Sequence, residues 1–142
     1  MKKSPLKSRS TSSRANLDSK AVELWQQAGR LMWSGHCMKC GKQLADDGTT
    51  KEGCCHHIIG RANGNTKFAL MNSALLCKKC HDYADGDREG FREFLRENWP
   101  VMYKWHMENH WKPQAHISVI DLQNTIAELK AFIKKQEARR GK

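Results

Sequence analysis

Two Cys-x-x-Cys pairs limit the folds open to this chain more than any other feature. In such a turn both thiolates point to one side while backbone N–H groups bond to the sulfurs, so two turns can complete a tetrahedron around Zn2+. A redox pair or coincidence is the alternative, but two pairs in one chain favour structural zinc. Apparent zinc-binding energies on the order of 10–16 kcal/mol become folding energy, which suits a chain with a small core. The predicted zinc ligands are Cys37, Cys40, Cys77 and Cys80.

The expected compartment depends on the N-terminal sequence, MKKSPLKSRSTSSRANL, which has no apolar stretch and is therefore not a secretory signal. Its Ser- and Arg-rich, acid-poor composition also fits a mitochondrial transit peptide. No later run is long and apolar enough to span a bilayer, which argues against a membrane partner. The sequence therefore predicts a cytoplasmic protein, in which reducing conditions leave the cysteines free to bind metal.

The basic charge that makes up the formal net charge of +10 is concentrated at the two ends of the chain. Residues 1–20 contain six basic and one acidic side chain, and so do residues 130–142, whereas 13 of each lie in between. Two cationic ends on a neutral body suit a protein that acts on nucleic acid and whose ends bind phosphates. The alternative is a pair of solubilising tails. We expect DNA to be the partner.

The coarse pattern is that of a mostly helical α+β protein. Residues 1–17 are rich in Ser, Lys and Arg and are predicted to form a disordered basic tail. A helix capped at Asp18 or Ser19 follows, with Trp25 on its apolar face, and ends near Gly35.

Two short strands are predicted near the cysteines. CCHHII is β-prone, SALLC leads into the second cysteine pair, and Asp47-Gly48 marks a turn between extended segments. After the second pair a helix ends near Gly86, Asp87 caps the next helix, and Pro100 suits the first turn of a third.

The last predicted element is a basic amphipathic helix over residues 118–142. Ser118 and Asp121 form a partial capping box at its start. Its apolar side chains are spaced three and four residues apart, so they could pack on the chain's own domain or form a homodimer. The heptads are too few to require a coiled coil, which favours packing within the chain. The stripe consists of Val119, Leu122, Ile126, Leu129 and Ile133.

Three histidines are expected to converge at GCCHHIIG, residues 53–60. Closing the zinc site brings together the ends of the segment between the cysteine pairs, so His81 can approach a strand that carries His56 and His57. Neighbouring side chains on a strand point to opposite sides, so the two strand histidines are expected to do different jobs. One would bind a catalytic cation with His81, and the other would accept a proton from an attacking water.

The other two cysteines, Cys54 and Cys55, are adjacent rather than spaced as in a zinc turn. Either could replace one of the four predicted ligands. A free cysteine, however, is often simply a small buried hydrophobe. We therefore interpret both as core or bystander residues.

The loop between the two strands carries polar side chains where phosphate contacts are expected. Solvated loop polarity is an equally good account of the same residues. The predicted nucleic-acid-binding residues are Arg61, Asn63 and Lys67.

The order Cys-x-x-Cys, His-His, Asn, Cys-x-x-Cys-His, in the context CCHHIIGRANGNTKFALMNSALLCKKCH, resembles the HNH family of ββα-metal endonucleases. The resemblance covers residues 37–81 and is specific because several spacings agree at once, including Asn72 five residues before Cys77. It implies a small zinc-stapled ββα-metal core, residues 36–86. This core would lie in a nuclease domain of residues 18–117, with N- and C-terminal helices at its flanks.

The resemblance implies roles for four residues. His57 would be the general base that activates water, and Asn72 would hold the loop and orient that imidazole. His56 and His81 would hold the catalytic divalent metal, which steadies the scissile phosphate and the leaving 3′-oxygen. Many members have Asp where this chain has His56. Mg2+ or Mn2+ is expected, and imidazole ligands also suit Co2+, Ni2+ or Zn2+.

A second resemblance concerns the layout of the chain. A basic N-terminal segment, the helix AVELWQQAGRLM, the CMKCG turn and a closing helix VIDLQNTIAELKAFIKK resemble phage recombination nucleases of the NinG/Rap type, which resolve branched DNA. We therefore predict a metal-dependent DNA endonuclease that acts on branched or recombination-intermediate DNA, in a bacterial host cell if phage-encoded. A sequence-specific restriction or homing nuclease and a non-catalytic zinc DNA-binding module are the alternatives.

Overall fold

The computed structural model describes residues 3–44, 52–64, 66–113 and 115–140, and of residues 3–13 only the helical backbone. Within these ranges the protein is mostly helical with a two-stranded sheet, which confirms the predicted α+β class. None of the helices in these ranges combines the length and the apolar character that crossing a bilayer requires. The elements are α1 (Lys3–Met32), β1 (Gly53–His57), a 3-10 helix (Leu70–Asn72), β2 (Ser73–Cys77), α2 (Lys78–Gly86), α3 (Arg88–Asn98), α4 (Pro100–Asn109) and α5 (Val119–Arg140).

The sheet pairs β1 with β2 in antiparallel fashion, with Gly53 opposite Cys77 at one end. A side chain at Gly53 would not fit, because a Cβ there would lie 2.2 Å from the Leu76 carbonyl oxygen. β2 is buried along its whole length and α2 begins at the next residue, so the strands and the helix form a β-β-α unit. Both predicted strands are present, whereas the predicted Asp47-Gly48 turn lies outside the described residues.

The first helix begins at Lys3 and not at Asp18 or Ser19, so the prediction of a disordered tail over residues 1–17 is wrong from Lys3 onward. The C-terminal half of α1 buries Trp25 and other apolar side chains in the core. A helix that is already anchored by packing gains one hydrogen bond for each residue added, without a new nucleus. The residues of α1 before Asp18 show no helical spacing of apolar side chains, so the sequence did not predict that they are helical.

The junctions between the next helices follow the predicted start signals. Asp87 caps α3 by accepting a hydrogen bond from the backbone N–H of Gly90 at 2.9 Å, and Pro100 occupies the first turn of α4. Trp99, between the two helices, packs edge-on against Trp33 with ring centroids 4.8 Å apart. Its indole N–H donates to the Met38 carbonyl at 3.2 Å, which ties this corner to the first cysteine turn.

The last helix is capped as predicted, because the Ser118 hydroxyl accepts a hydrogen bond from the backbone N–H of Asp121 at 3.0 Å. Three members of the predicted stripe, Leu122, Leu129 and Ile133, are buried in the same core as α1. Packing within the chain therefore uses much of the stripe, and a homodimer through α5 stays a prediction.

The two long helices, α1 and α5, run in the same direction. Arg14 of α1 contacts the carbonyl of Ile117 and the ring of His116, both just before α5. At the other end, Arg140 donates to the Leu31 carbonyl at 2.9 Å. The start of α5 therefore lies beside Arg14, 11 residues into α1, and its end lies beside the end of α1.

Candidate active site

The four cysteines of the two predicted zinc turns meet in one cluster, with all four sulfurs within 4.8 Å of one another. Cys40 Sγ lies 3.7 Å from Cys77 Sγ. Cys77 also caps α2, since its sulfur accepts a hydrogen bond from the backbone N–H of Cys80 at 3.5 Å. Gly41, directly after the first pair, has a φ of 81°, a conformation that glycine adopts at low cost. The structure thus confirms that the four cysteines come together.

The protonation of the cluster indicates what it could hold. Burial alone raises the pKa of Cys37, but hydrogen bonds, chiefly from the backbone N–H groups of Cys40, Cys77 and Lys39, outweigh it and lower the pKa to about 7. Burial and the neighbouring sulfurs raise the pKa of Cys80 above its usual range. Four thiolates at this distance repel one another unless a cation lies between them. The donor set fits a structural metal such as zinc.

A second cluster of metal-binding side chains joins β1 to α2. The candidate ligand atoms of His56, His81 and Asp85 lie within 4.8 Å of one another. Asp85 contacts both imidazoles, with its oxygens 3.7 Å from His56 Nδ1 and 3.2 Å from His81 Nδ1. Two imidazoles and one carboxylate are a good donor set for Mn2+, Co2+, Ni2+ or Zn2+, and a softer one than Mg2+ prefers.

Asp85 was missed from the sequence, although a signal was present. It follows His81 by four residues on α2, so the two side chains project from the same face of the helix one turn apart. A carboxylate four residues after a candidate metal-binding histidine is therefore a candidate third ligand. The spacing alone would have predicted it.

The neighbouring histidine, His57, points to the other side of β1. Its ring stacks on Trp25 of α1 with centroids 3.9 Å apart and an interplanar angle of 11°. Its Nε2 lies 3.0 Å from the Lys67 carbonyl oxygen. A carbonyl oxygen can only accept, so Nε2 carries the proton and Nδ1 keeps the free lone pair of the neutral ring. Burial is the main cause that lowers the pKa of His57 to about 4.

Asn72 is fully buried and ties down the loop that holds His57. Its Oδ1 accepts a hydrogen bond from the Ile59 N–H at 2.6 Å, and its Nδ2 donates to the carbonyls of Ile59 at 3.0 Å and Thr66 at 3.1 Å. Thr66 directly precedes Lys67, whose carbonyl accepts from the imidazole. Asn72 therefore reaches His57 through the loop backbone and not by direct contact.

The two histidines of β1 open onto one cleft of about 270 Å³. Its opposite wall consists of residues that the sequence did not single out as functional: Arg88 and Arg92 of α3, and His106 and His110, in and just after α4. These residues lie outside the motif, and only tertiary packing brings them to the cleft. No spacing rule would have found them.

His106 is the most buried member of this wall, at 7% exposure. Its ring stacks on His110 with centroids 5.1 Å apart. Nδ1 of His106 has no hydrogen-bond partner among the residues that the structure describes. Burial, then the charge of His110 and that of Arg92, lower the pKa of His106 to about 4. The ring is therefore neutral near pH 7.

The three loop residues predicted to bind phosphate lie in different surroundings. Asn63 is buried at 5% exposure and its Nδ2 donates to the Lys112 carbonyl at 3.4 Å. The Lys67 ammonium pairs with Asp18 at 3.0 Å. Arg61 is exposed. Of the three, Arg61 is the side chain that the structure leaves most accessible to a nucleic acid.

The remaining pair of cysteines lies outside the four-cysteine cluster. Cys55 is buried at 3% exposure, which matches its interpretation as a core residue. Burial is the main cause that raises its pKa to about 12, so it stays a thiol. Cys54 is half-buried on the other side of β1, and burial also raises its pKa.

Comparison with known proteins adds nothing to this geometry, since no family model, no curated protein and no solved structure matches the chain.

Proposed function

We propose that the protein is a metal-dependent DNA endonuclease of the HNH type, which hydrolyses phosphodiester bonds in branched or recombination-intermediate DNA. One observation carries the proposal. His56, which belongs to a cluster of three metal-binding side chains, and His57, a neutral imidazole with a fixed tautomer, line the same cleft. A zinc module that only bound DNA would need the cysteines but not this second constellation.

The structural zinc belongs to the four-cysteine cluster, Cys37, Cys40, Cys77 and Cys80. Two of these ligands lie at the junction of β2 and α2, so binding zinc fixes the start of α2 against the sheet. The rest of α2 then presents His81 and Asp85 to β1. Zinc would thus preorganise the candidate active site without taking part in the chemistry.

The catalytic cation would be held by His56, His81 and Asp85. When bound, a divalent cation would neutralise charge on the scissile phosphate and on the leaving 3′-oxygen. The donor set makes Mn2+ or another transition metal a better match than Mg2+. The carboxylate also supplies a negative charge, which imidazole ligands do not.

His57 is the general base. Its Nε2–H is held by the Lys67 carbonyl, so Nδ1 would take the proton from the attacking water. Trp25 fixes the plane of the ring by stacking, and Asn72 fixes the loop that supplies the carbonyl. Water attack on the phosphorus with departure of the 3′-oxygen leaves a 5′-phosphate and a 3′-hydroxyl.

A paired cleavage assay tests the proposal. Zinc-loaded wild type, His57→Ala and the control His116→Ala are incubated with supercoiled plasmid and with four-way junctions, in Mg2+ and in Mn2+. We expect cleavage by wild type and by His116→Ala, whose ring is exposed and outside the cleft. His57→Ala should be slower by about 10² to 10⁴, the usual contribution of a general base.

Other outcomes separate the alternatives. Cleavage retained by His57→Ala would remove the proposed base, and no cleavage with any divalent metal would favour a zinc DNA-binding module. Discrete fragments from long linear duplex would indicate a sequence-specific restriction or homing nuclease. Preferential cutting of the junction would support the recombination substrate.

A further inference from the structure

The α3–α4 wall of the cleft, defined as Arg88, Arg92, His106 and His110, has the composition of an anion site. Arg88 and Arg92 are four residues apart on α3, so they project from one face about 6 Å apart along the axis. Both line the cleft, and no carboxylate is among the described residues that line it.

The two guanidinium groups are available for a ligand. Within the part of the chain that the structure describes, neither Arg88 nor Arg92 forms an ion pair with a carboxylate. Arg96, one turn further along α3, does pair with Glu93 and does not line the cleft. The helix thus offers two free cations to the cleft and one neutralised cation elsewhere.

The histidines complete the wall with hydrogen-bonding groups. His106 is buried, and its Nδ1 has no partner among the described residues, so no protein group there fixes its tautomer. His110, stacked on it, is exposed at the rim. A neutral imidazole can donate one N–H to a phosphate oxygen without adding to the charge that the arginines already supply.

From this placement we infer that the α3–α4 wall binds a second backbone phosphate of the same strand, next to the phosphate at the His56, His81 and Asp85 cluster. The inference rests on the proposed function, because that function assigns the first phosphate. Arginine suits the task, since its planar fork can bond two phosphate oxygens at once. The substrate class is therefore an internal phosphodiester with a charged neighbour, and not a terminal phosphate ester.

Binding and cleavage of DNA by four variants test the inference: Arg88→Ala, Arg92→Ala, the double variant and the control Arg96→Ala. Affinity for a short duplex is measured over a range of salt concentrations, with zinc-loaded protein and no added Mg2+ or Mn2+. Each cleft variant should bind about tenfold more weakly, and its log–log salt slope should fall by about 0.9 for each phosphate that the protein no longer neutralises. Arg96→Ala should stay within about twofold of wild type, as expected for an exposed ion pair.

A chemical probe identifies the phosphate. In a duplex with one mapped cut site, the phosphate on either side of the scissile one is replaced in turn by an uncharged methylphosphonate. One of the two replacements should weaken wild-type binding about tenfold. The same replacement should have little further effect on binding by the double variant, because the arginine substitutions have already removed the interaction with that phosphate. If the methylphosphonate weakens binding by the double variant as much as it weakens binding by wild type at both positions, the inference is wrong.

The binding and cleavage measurements can refute the two proposals independently. If no metal supports cleavage but the cleft variants still lose affinity and salt slope, the phosphate wall stands and the nuclease proposal falls. If wild type cleaves and the double variant retains both its KM and its salt slope, the wall is wrong and the nuclease stands. Melting curves confirm that each variant is folded, which is expected because alanine is a good helix former.

Discussion

Adjacent residues of one strand lie in different surroundings here because a strand alternates its faces. His56 lies between α2 and α3, near His81 and with its ring centroid 5.9 Å from that of Phe91. His57 lies against α1 on Trp25. The β-branched residue after them is no longer in the strand, and the chain turns away towards the loop. A shift of one residue in the register of β1 would exchange the two imidazoles and destroy both environments.

At the residue scale, Asn72 gives the first prediction. Asn72→Asp removes both Nδ2 donors and places a carboxylate against the carbonyls of Ile59 and Thr66. We expect the free energy of unfolding to fall by about 2–4 kcal/mol, the cost of leaving buried polar groups unpaired beside a charge. Urea unfolding measures it. The exposed Asn98, which donates to the Phe94 carbonyl, provides the control Asn98→Asp, and an equal loss in both variants would contradict the assignment.

His106 gives the second prediction, on pH. Its pKa is about 4 in the folded protein and about 6.5 in an unfolded chain, so between these values the unfolded chain binds more protons. The contribution of neutral His106 to the free energy of unfolding is therefore complete above pH 6.5 and is lost as the pH falls towards 4. Between pH 7.5 and pH 5, His106→Gln should lose about 2 kcal/mol less unfolding free energy than wild type.

The control for this experiment is His116→Gln, whose exposed ring should leave the wild-type pH dependence unchanged. Release of zinc from the four clustered cysteines in acid would also destabilise the protein, but equally in all three proteins. Identical losses in wild type and His106→Gln would show that His106 does not titrate with folding.

At the scale of elements, the sequence predicted the helix boundaries that depend on interactions between residues close in sequence. The cap residues Asp87 and Ser118 and the first-turn Pro100 act through neighbours within four residues, so their patterns were sufficient. The meeting of the four cysteines was also predicted, because a single zinc site would require all four. Arg88 and Arg92 could not be predicted as cleft residues, since their position depends on how α3 docks on β1.

The contact between α1 and the sheet gives the third prediction. A Cβ on Gly29 would lie 2.4 Å from Cys55 Sγ and 3.1 Å from Ser73 Oγ, so the helix rests directly on both strands. Gly29→Ala should lower the unfolding free energy by about 1–3 kcal/mol through overpacking. Gly86→Ala, with nothing within 4 Å, should be neutral or slightly stabilising. Equal melting temperatures for the two variants would show that the helix can move away at little cost.

At the scale of the whole molecule, the four-cysteine cluster joins parts of the chain that are far apart in sequence. It links the turn after α1 to the junction of β2 and α2, and Trp99 brings the start of α4 to the same corner. Removal of a zinc ion bound there would therefore loosen the protein as a whole and not one loop.

The fourth prediction follows from this position. Cys77→Ser should reduce the zinc content measured by mass spectrometry from one per chain to none and lower the unfolding free energy by several kcal/mol. The control Cys54→Ser lies outside the cluster and should keep its zinc and lose less than about 1 kcal/mol. Full zinc content in Cys77→Ser would mean that another ligand, such as a neighbouring cysteine, completes the site.

The length of α1 sets the number of base pairs in any duplex that lies along it. About 28 residues of α1 separate Lys3 from Leu31, where Arg140 is bound, which corresponds to roughly 42 Å of helix. Double-stranded DNA rises about 3.4 Å per base pair, so about 12 base pairs are needed to reach from one end of α1 to the other. A footprint along α1 would thus cover more than a full turn of the duplex, whereas the cleft would touch only the few nucleotides next to the proposed cut.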